Sequence, residues 1–469
     1  MEVIFAIATN PFGRLPNILK SKSPPVPPPS SSTEPILRIG ILGAAKIVPD
    51  GIVLPARNHP SVQLVAIAAR DKSRAEVFAK QHGIARVLDS YADVVTDPDV
   101  DAVYIPLPNG LHHKWAIEAL RNGKHILLEK PSCSNADQTS QVFALAKQRN
   151  LVALEAFHYR FHPALHLFGH LVRMATNEGT NPLTRVEADF RVVGAGIPED
   201  DFRFTHALAG GSVTDPGVYP ICISLYTVRA AAGPPAHGGT LDFLDWSSRI
   251  ECSQAKPTLF VPRVEPLTTA HLDPSGKNAI DERMDATLLV PLPGASEDAP
   301  TVACTLLSTL RDEVETTIAG ITFRTARLST PTVEAVFKDG TKVRYVGYLA
   351  PWVYHSITVT QPSGRKATHQ AYAPSPEPTS DAPDGFWNTE DGAGAGIKPE
   401  AWWPTYRYQL EVFYQAWRAH THSTSPATTN NPTTPPPVPP PVWMHADESI
   451  AVMQCVDKIY EASGLGKRI

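Results

Sequence analysis

The sequence predicts an α/β chain in which an N-terminal doubly wound parallel sheet precedes an α+β domain. Two observations predict this fold class. Between Leu37 and Leu154, short apolar runs alternate with amphipathic segments, as in a parallel sheet with crossover helices. After Ala156, strand-like runs are interleaved with only a few helical segments, which is typical of an α+β domain.

The elements of the first domain follow from its apolar runs and from the stops between them. Five runs are short and apolar enough to be buried strands, and three amphipathic segments between them predict helices. The predicted strands are Leu37 to Leu42, Gln63 to Ala69, Ala102 to Pro106, His125 to Leu128 and Val152 to Glu155, and the predicted helices are Ser73 to His82, Leu111 to Asn122 and Asn135 to Gln148.

In the second domain, the same patterns predict five strands and four helices. The strands are expected at 185–193, 286–290, 302–310, 332–337 and 341–346, and the helices at 163–174, 220–227, 406–418 and 447–463.

Proline clusters mark the boundaries and the insertions. Six of the fifteen residues at 21–35 and eight of the twenty-one at 421–441 are proline, a composition that buries too little apolar surface to offset its ordering entropy. We therefore predict a disordered, proline-rich extension at 1–35, one domain at 36–156 and a second at 157–469. The second domain is expected to contain insertions near 373–404 and 421–441.

Composition restricts the class of protein. With 42 basic and 47 acidic residues and no long block of either sign, nucleic acid is not an expected partner. No run approaches the roughly 18 apolar residues of a membrane span. The five cysteines are scattered and odd in number, which favours a reducing compartment. We expect a soluble, cytoplasmic protein, with Arg14, Lys20 and Lys22 leaving organelle targeting as an alternative.

The first strand ends in a turn that can approach a dinucleotide. The glycine pattern Gly-x-Gly-x-x-Gly is matched only at Gly43, but the small Ala45 still lets a pyrophosphate approach the backbone. The candidate cofactor-binding residues here are Gly43, Ala44, Ala45, Lys46 and Ile47. The alternative is an ordinary strand-to-helix turn, and Pro49, Gly51 and Pro55 predict that any helix after it is short or irregular.

The second strand ends in basic residues, where an NAD enzyme usually has an acid. Arg70 and Arg74 are four residues apart at a helix start, so both guanidinium groups can reach one 2′-phosphate. NADP is therefore the expected cofactor. Asp71 can bind ribose hydroxyls, so NAD is the less favoured cofactor. The structural alternative is that Arg70 and Arg74 are solvated side chains at a helix start.

The predicted strands at 102–106 and 125–128 end at the carboxyl edge of the sheet, where ligands of parallel sheets bind. The strand at 102–106 runs into Pro106, Asn109 and His112, and the strand at 125–128 runs into Glu129 and Lys130. A lysine followed by proline at a strand tip is an oriented cation on a stiff turn. A surface lysine is the alternative.

These motifs resemble the Gfo/Idh/MocA oxidoreductase family. The resemblance rests on Glu129-Lys130-Pro131, on the motif at 108–113 (Pro-Asn-x-x-His-His) and on the motif at 215–220 (Asp-Pro-Gly-Val-Tyr-Pro). It extends over about 37–204, 210–227, 405–417 and the last helix. It is strongest with the branch that contains dimeric dihydrodiol dehydrogenases and fungal NADP-dependent D-xylose 1-dehydrogenases.

The resemblance implies a fold, an activity and a set of site residues. The first domain would be a Rossmann domain, and the second would have a large, mainly antiparallel open sheet that pairs in a homodimer. The activity would be hydride transfer between a sugar or diol carbon and C4 of a nicotinamide. The implied catalytic residues are Lys130, Tyr219 and Asp215, and the expected cofactor-binding residues are Gly43, Ala44, Ala45, Lys46, Ile47, Arg70, Arg74, Pro106, Asn109, His112, Glu129 and Lys130.

The lysine and the tyrosine make chemical sense as a pair. A free tyrosine has a pKa of about 10 and is a poor base at neutral pH. An ammonium group about 4 Å away would favour the phenolate by roughly 4 kcal/mol at an effective dielectric constant of 20, or about three pKa units. We therefore expect Lys130 to lower the pKa of Tyr219, and Asp215 to accept a hydrogen bond from substrate or lysine.

Substrate binding is assigned to side chains around the domain junction. His113, His158 and Arg160 are predicted to line a pocket for a small sugar or diol. The alternative is a packed strand of alternating aromatic residues at 157–161, with His158 and Arg160 facing solvent. Arg203 is a further candidate pocket cation, although a surface ion pair is the preferred interpretation.

No catalytic metal is expected, because the adjacent His112 and His113 would point about 100° apart on a helix. The favoured function is an NADP-dependent dehydrogenase that oxidises D-xylose or a related aldopyranose to the lactone. The alternatives are a trans-dihydrodiol dehydrogenase and a non-catalytic NAD(P)-binding redox or sugar sensor.

Overall fold

The structure is a computed structural model that describes residues 15–25, 34–193, 197–233, 243–260, 279–296, 298–318, 321–326, 329–372, 399–423 and 444–469. Its N-terminal half contains a six-stranded sheet and short helices. The strands are β1 (Leu37–Leu42), β2 (Val62–Ala68), β3 (Arg86–Val87), β4 (Ala102–Ile105), β5 (His125–Leu128) and β6 (Ala153–Glu155). The α-helices are α1 (Leu15–Lys22), α2 (Leu54–Arg57), α3 (Lys72–His82), α4 (Tyr91–Thr96), α5 (His112–Arg121) and α6 (Ala136–Gln148).

The first sheet is parallel throughout, in the order β3-β2-β1-β4-β5-β6. This confirms the predicted doubly wound sheet, and its five predicted strands and three predicted helices lie within one residue of their expected ends. The strand order reverses between β1 and β4. The loops that follow these two strands therefore open onto one crevice, the usual ligand site of such sheets.

The second sheet is mainly antiparallel, as predicted, but it has nine strands where the sequence pattern predicts five. Its strands are β7 (Leu183–Val193), β8 (Glu251–Leu259), β9 (Asp281–Val290), β10 (Val302–Ile318), β11 (Ile321–Ala326), β12 (Thr332–Phe337), β13 (Lys342–Val346), β14 (Ser356–Thr360) and β15 (Lys366–His369). Their order is β15-β14-β13-β12-β7-β10-β9-β8, with β11 paired to β10. Strands β7 and β10 run parallel to each other, and the other neighbouring pairs are antiparallel.

Helices join the two sheets into one apolar core. They are α7 (Pro163–Ala175), α8 (Val218–Ala232), α9 (Phe243–Ser248), α10 (Thr405–Ser423) and α11 (Ala446–Ala462). Helix α8 packs on β7 and α7, while α11 packs on α6 of the first half. A single cluster of buried side chains extends from Ile39 on β1 to Leu288 on β9. The second half therefore packs directly against the parallel-sheet half.

Part of the predicted disordered extension is helical. Helix α1 lies within residues 1–35, and the side chain of Ile18 is buried against Trp352. The ammonium group of Lys22 forms an ion pair with Asp50, at 3.0 Å. The prediction of disorder is therefore wrong for these eight residues, because the sequence pattern does not show the apolar partner that a distant segment supplies.

Residues 424–441 of the predicted insertion at 421–441, and most of that at 373–404, lie outside the described residues, whereas 421–423 are the end of α10. Trp402 and Trp403, at the end of the first insertion, are buried in the core. None of the helices in the described part of the chain is both long and apolar enough to span a membrane.

Candidate active site

The turn after β1 brings backbone close to the crevice. Gly43 has φ of +97°, a left-handed conformation that favours glycine, and its N–H donates a hydrogen bond to the Ala68 carbonyl at 2.7 Å. The chain then forms a π-helical turn at Pro49–Val53 before the four-residue α2, which confirms the predicted short, irregular helix. Ala44 and Ala45 are half-buried beside this turn, and Lys46 is exposed.

The tip of β2 presents two cations to solvent. Arg70 and Arg74 are exposed, and neither has an ion-pair partner among the described residues. Asp71 caps α3: its Oδ1 accepts hydrogen bonds from the Ser73 hydroxyl at 2.7 Å and from the Ser73 N–H at 3.0 Å. These bonds lower the pKa of Asp71. One carboxylate oxygen of Asp71 is thus engaged, while both arginine side chains are available to an anion.

The loops after β4 and β5 are tied together by His112. Its Nε2 lies 2.7 Å from the Leu107 carbonyl and its Nδ1 lies 2.7 Å from the Pro131 carbonyl. Asn109 is buried, and its Nδ2 donates to the Ala209 carbonyl at 3.2 Å. Pro106 is buried in the same loop. These residues shape the carboxyl edge of the sheet.

Glu129, at the tip of β5, is buried below this edge. Its Oε1 accepts a hydrogen bond from the Tyr104 hydroxyl at 2.7 Å, and its Oε2 accepts one from the Lys130 N–H at 3.3 Å. Burial raises the pKa of Glu129. The hydrogen bond from the Lys130 backbone N–H to Glu129 helps to fix the backbone at Lys130.

Lys130 and Asp215 meet across the crevice. The lysine Nζ donates to Asp215 Oδ1 at 2.7 Å and to the Asp215 carbonyl at 3.1 Å, as the sequence predicts. Arg203 Nε donates to the other carboxylate oxygen at 2.5 Å. Burial alone would raise the pKa of Asp215, but Arg203 and Lys130 outweigh it and hold that pKa well below its usual range. Asp215 is therefore an anion shared by two cations.

Tyr219 lies beside the pair formed by Lys130 and Asp215. Lys130 Nζ lies 4.9 Å from the centre of its ring, and the side chain is 6% exposed. Its ring is surrounded by the aromatic side chains of Phe157, Tyr159 and Phe190, with ring centres 5.6 to 5.9 Å away.

The expectation that Lys130 lowers the pKa of Tyr219 is wrong for this arrangement. Burial raises the pKa of Tyr219 well above 10, and the nearby carboxylates of Glu129 and Asp215 add to the increase. Lys130 faces the aromatic ring, and its charge is already compensated by Asp215. The tyrosine is therefore a protonated hydroxyl at neutral pH.

His158 lies next to the tyrosine hydroxyl. Its Nε2 is 3.4 Å from the Tyr219 oxygen, and its Nδ1 is 2.6 Å from Thr405 Oγ1 on α10. Its ring also stacks on Tyr406, with ring centres 4.1 Å apart. Burial, and secondarily the charge of Lys130, lower the pKa of His158 to about 3. It is therefore a neutral imidazole at the site.

Three expectations about the pocket need correction. Arg160 is buried in an ion pair with Glu448 of α11 at 2.8 Å, so its charge is used inside the core. His113 Nε2 lies 2.9 Å from Gln141 Oε1 on α6, so His113 is not grouped with Lys130, Asp215 and Tyr219. Residues 158–161 form a 3₁₀ turn whose four side chains are all buried, which excludes the alternative of a strand with solvent-facing His158 and Arg160.

Two residues have a larger part in the site than the sequence predicts. Arg203 is predicted mainly as a surface ion pair, but it donates a hydrogen bond to Asp215 inside the crevice. Thr405, which holds His158, lies in the stretch 405–417 that resembles the family, but no local pattern connects it with a residue 247 positions away. Within the described residues, no group of three or more His, Cys, Asp or Glu side chains is placed to hold a metal ion.

A family profile matches the stretch that builds the parallel sheet and its carboxyl edge. The profile is GFO_IDH_MocA, described as an oxidoreductase family with an NAD-binding Rossmann fold, and it matches residues 37–157. Residues 37–157 are a Gfo/Idh/MocA domain. This match confirms the resemblance found in the strand-tip motifs.

Curated relatives of this Gfo/Idh/MocA domain include sugar and diol dehydrogenases. The chain is 40% identical over 187 residues to D-xylose 1-dehydrogenase (NADP(+)) 2 of Haloferax volcanii, covering 39% of this chain and 55% of that protein. It is 34% identical over 193 residues to trans-1,2-dihydrobenzene-1,2-diol dehydrogenase of Xenopus tropicalis, covering 40% of this chain and 55% of that protein. The matches thus span about half the length of these relatives.

Solved structures share the arrangement of the Gfo/Idh/MocA domain and the second sheet. A 3-ketoreductase from Actinomadura kijaniata, in complex with NADP and TDP-benzene, has a TM-score of 0.60 at 20% identity, covering 91% of this chain and 98% of that chain. Levoglucosan dehydrogenase, in complex with NADH and levoglucosan, has a TM-score of 0.60 at 17% identity, covering 91% of this chain and 97% of that chain. These similarities confirm the predicted fold class.

Proposed function

We propose that this chain is an NADP-dependent dehydrogenase that oxidises a hydroxyl-bearing carbon of a sugar and passes the hydride to the nicotinamide. The observation that carries the proposal is the position of Lys130 Nζ, 2.7 Å from Asp215 and 4.9 Å from the Tyr219 ring. A fixed cation and a phenol thus meet at the carboxyl edge of a parallel sheet. This pair is suited to hold and deprotonate a substrate hydroxyl.

The favoured substrate is D-xylose or a related aldopyranose, oxidised at the anomeric carbon to the lactone. The proposal is supported by the 40% identity to a D-xylose 1-dehydrogenase (NADP(+)) over the matched residues. A cyclic trans-diol is the second candidate. It is favoured by the similarity to a dihydrodiol dehydrogenase and by the aromatic side chains around Tyr219, which suit an apolar ring.

The turn at 43–47 and the basic tip of β2 fit a dinucleotide phosphate. Gly43 and the small side chains after it leave the backbone open to a pyrophosphate. Arg70 and Arg74 would bind the 2′-phosphate, and the loop held by His112 would line the rest of the groove. When bound, the nicotinamide would accept or donate the hydride at its C4.

The residues around Lys130 have separate roles in this chemistry. Asp215 orients the lysine, which donates a hydrogen bond to the substrate oxygen. During oxidation the phenolate form of Tyr219 accepts the proton of the same oxygen, and this form is scarce at neutral pH because burial raises the pKa of Tyr219. Because the neutral imidazole of His158 is the hydrogen-bond partner of the tyrosine hydroxyl, it fixes the direction of that hydroxyl.

The double substitution Arg70→Ala with Arg74→Ala is expected to raise KM for NADP+ by at least about tenfold to a hundredfold, the effect of losing one hydrogen bond to a charged group at about 1.5–3 kcal/mol. KM for NAD+ should stay nearly constant, because NAD+ has no 2′-phosphate. Titration of both reduced cofactors by nicotinamide fluorescence measures the effect. Arg121→Ala on the exposed side of α5 is the matched control. Equal losses for NADP(H) and NAD(H) would contradict the phosphate assignment.

Replacing His158 with phenylalanine is expected to lower kcat about fivefold to tenfold, the usual contribution of one hydrogen bond. An aromatic ring is kept beside Tyr406, but the Tyr219 hydroxyl loses its hydrogen-bond partner. Binding of NADPH should not change. His158→Gln retains a hydrogen-bonding side chain and should recover part of kcat. If the phenylalanine variant had normal kcat, His158 would have no role in orienting Tyr219.

The function is tested by measuring the reduction of NADP+ and of NAD+ with D-xylose, D-glucose, other aldoses, inositol and a cyclic trans-diol. Turnover of an aldose with NADP+ is the expected result. Turnover of the diol alone would select the second candidate. Tight NADPH binding with no turnover on any of these compounds would contradict the proposal and favour the sensor.

We also propose that the chain forms a homodimer in a reducing, cytoplasmic environment. The open sheet leaves alternate side chains of β12 and β13 partly exposed, which provides a broad face for a second copy. All five cysteines are free thiols, as expected in a reducing compartment.

A further inference from the structure

The turn that carries Asp215 is held from behind by a buried carboxylate. This turn, the π-helical segment Val213–Gly217, leads into α8. Just before it, Gly211 has φ of +134°, and a Cβ at this position would collide with the Asp281 carboxylate and the Tyr460 hydroxyl. Asp281 is the first residue of β9 and is fully buried. The turn is therefore packed directly against a charged group.

The Asp281 carboxylate accepts four hydrogen bonds. Its Oδ2 accepts from the Val213 N–H at 2.9 Å and from the Ser212 hydroxyl at 2.8 Å. Its Oδ1 accepts from the Tyr460 hydroxyl and from Arg468 Nη2, both at 2.9 Å. Oδ2 of Asp281 thus holds the turn that contains Asp215, and Oδ1 is held by Tyr460 of α11 and by Arg468 after that helix.

Arg468 also reaches the Gfo/Idh/MocA domain. Its carbonyl accepts a hydrogen bond from Asn135 Nδ2 at 2.9 Å. Asn135 is the N-cap of α6, because its Oδ1 accepts from the Gln138 N–H at 3.0 Å. Helix α6 follows the turn that contains Lys130. Arg468 therefore connects the segment that follows Lys130 with the segment that presents Asp215.

We propose that Arg468 and Asp281 are positioning residues that keep the Asp215 carboxylate within hydrogen-bonding distance of Lys130, across the two halves of the chain. The proposal rests on the proposed function. Both side chains of the pair have 0% exposure, so the pair is fully desolvated, and removing one partner leaves the other charge buried and uncompensated. When this pair is broken, the turn at 212–217 should be the first segment to loosen, because the Ser212 hydroxyl and the Val213 N–H both donate to the Asp281 carboxylate.

Arg468→Lys and Asp281→Asn test this inference in the full chain. In both variants we expect amide hydrogen exchange at 212–217 to accelerate about tenfold or more, while the amides of β9 and β10 keep their protection. We expect kcat to fall about 10²-fold, the typical result of a displacement of about 1 Å near reacting groups, with KM for NADP+ unchanged. Arg468→Lys should retain more activity than Arg468→Ala because it keeps the positive charge.

Lys467→Ala is the control, since its half-exposed side chain pairs with Asp457 and Glu461 instead of Asp281. Normal exchange at 212–217 in the Arg468 and Asp281 variants would overturn the inference. Faster exchange throughout the chain with an equal loss of cofactor binding would also overturn it, since the pair would then be only structural. The exchange measurement needs no turnover, so it remains decisive even if the proposed dehydrogenase activity fails.

Discussion

Replacing Lys130 with alanine is expected to lower kcat by about 10²–10³-fold, the usual effect of removing a preorganised donor from a reacting oxygen. The affinity for NADPH should change little, because the ammonium group is engaged by Asp215 and faces the Tyr219 ring. The fold should also survive, since Asp215 keeps its hydrogen bond from Arg203. The measurements are kcat with the best sugar of the panel and NADPH binding by fluorescence.

Lys114→Ala is the matched control for this loss. Lys114 lies on α5 of the same domain and is exposed to solvent. Its replacement removes one lysine without touching the crevice, so kcat should stay near the wild-type value. A Lys130→Ala enzyme with near-normal turnover would show that the lysine does not contact the reacting oxygen.

Replacing Tyr219 with phenylalanine is expected to lower kcat by about 10²–10⁴-fold, the range contributed by general acid–base catalysis. The substitution should also remove a pH dependence. Because burial raises the pKa of Tyr219 well above 10, the phenolate is scarce at neutral pH and increases about tenfold per pH unit. Oxidation by the wild-type protein should therefore accelerate with rising pH, whereas the variant should show a flat profile.

Tyr226→Phe tests whether any lost tyrosine hydroxyl on this helix has the same effect. Tyr226 is also on α8, and its hydroxyl donates to the Leu165 carbonyl at 3.2 Å, away from Lys130. This variant should keep both kcat and the slope of the pH profile. If Tyr219→Phe retained the slope, another group would be the titrating base.

The parallel half of the fold could be predicted from the sequence because its pattern is local. Each strand is a short apolar run, and each crossover helix has its own amphipathic pattern and its own start or stop signal. Asn135, for example, is the predicted start of a helix and is the N-cap of α6. In the second sheet, four strands are not predicted by the sequence pattern: β8, β11, β14 and β15. Strand β15 is short and mostly exposed, so it has no apolar alternation to detect.

In the candidate site, the contact of Lys130 with Asp215 could be predicted because both residues belong to short motifs. The position of Arg160 could not, because its partner Glu448 is 288 residues away and no local pattern connects them. The pKa of Tyr219 depends on how deeply the second half buries it and on the orientation of Lys130. Neither quantity is encoded in the spacing of the motifs.

The position of helix α1 determines when this segment can dock during folding. An isolated helix of eight residues is marginal in water, so α1 depends on its docking surface for stability. That surface includes Trp352 against Ile18, and Glu400, which pairs with Lys20 at 2.8 Å. During synthesis Lys20 of α1 is made 380 residues before its partner Glu400. The docking of α1 is therefore a late step of folding, and a protease would find this segment open until then.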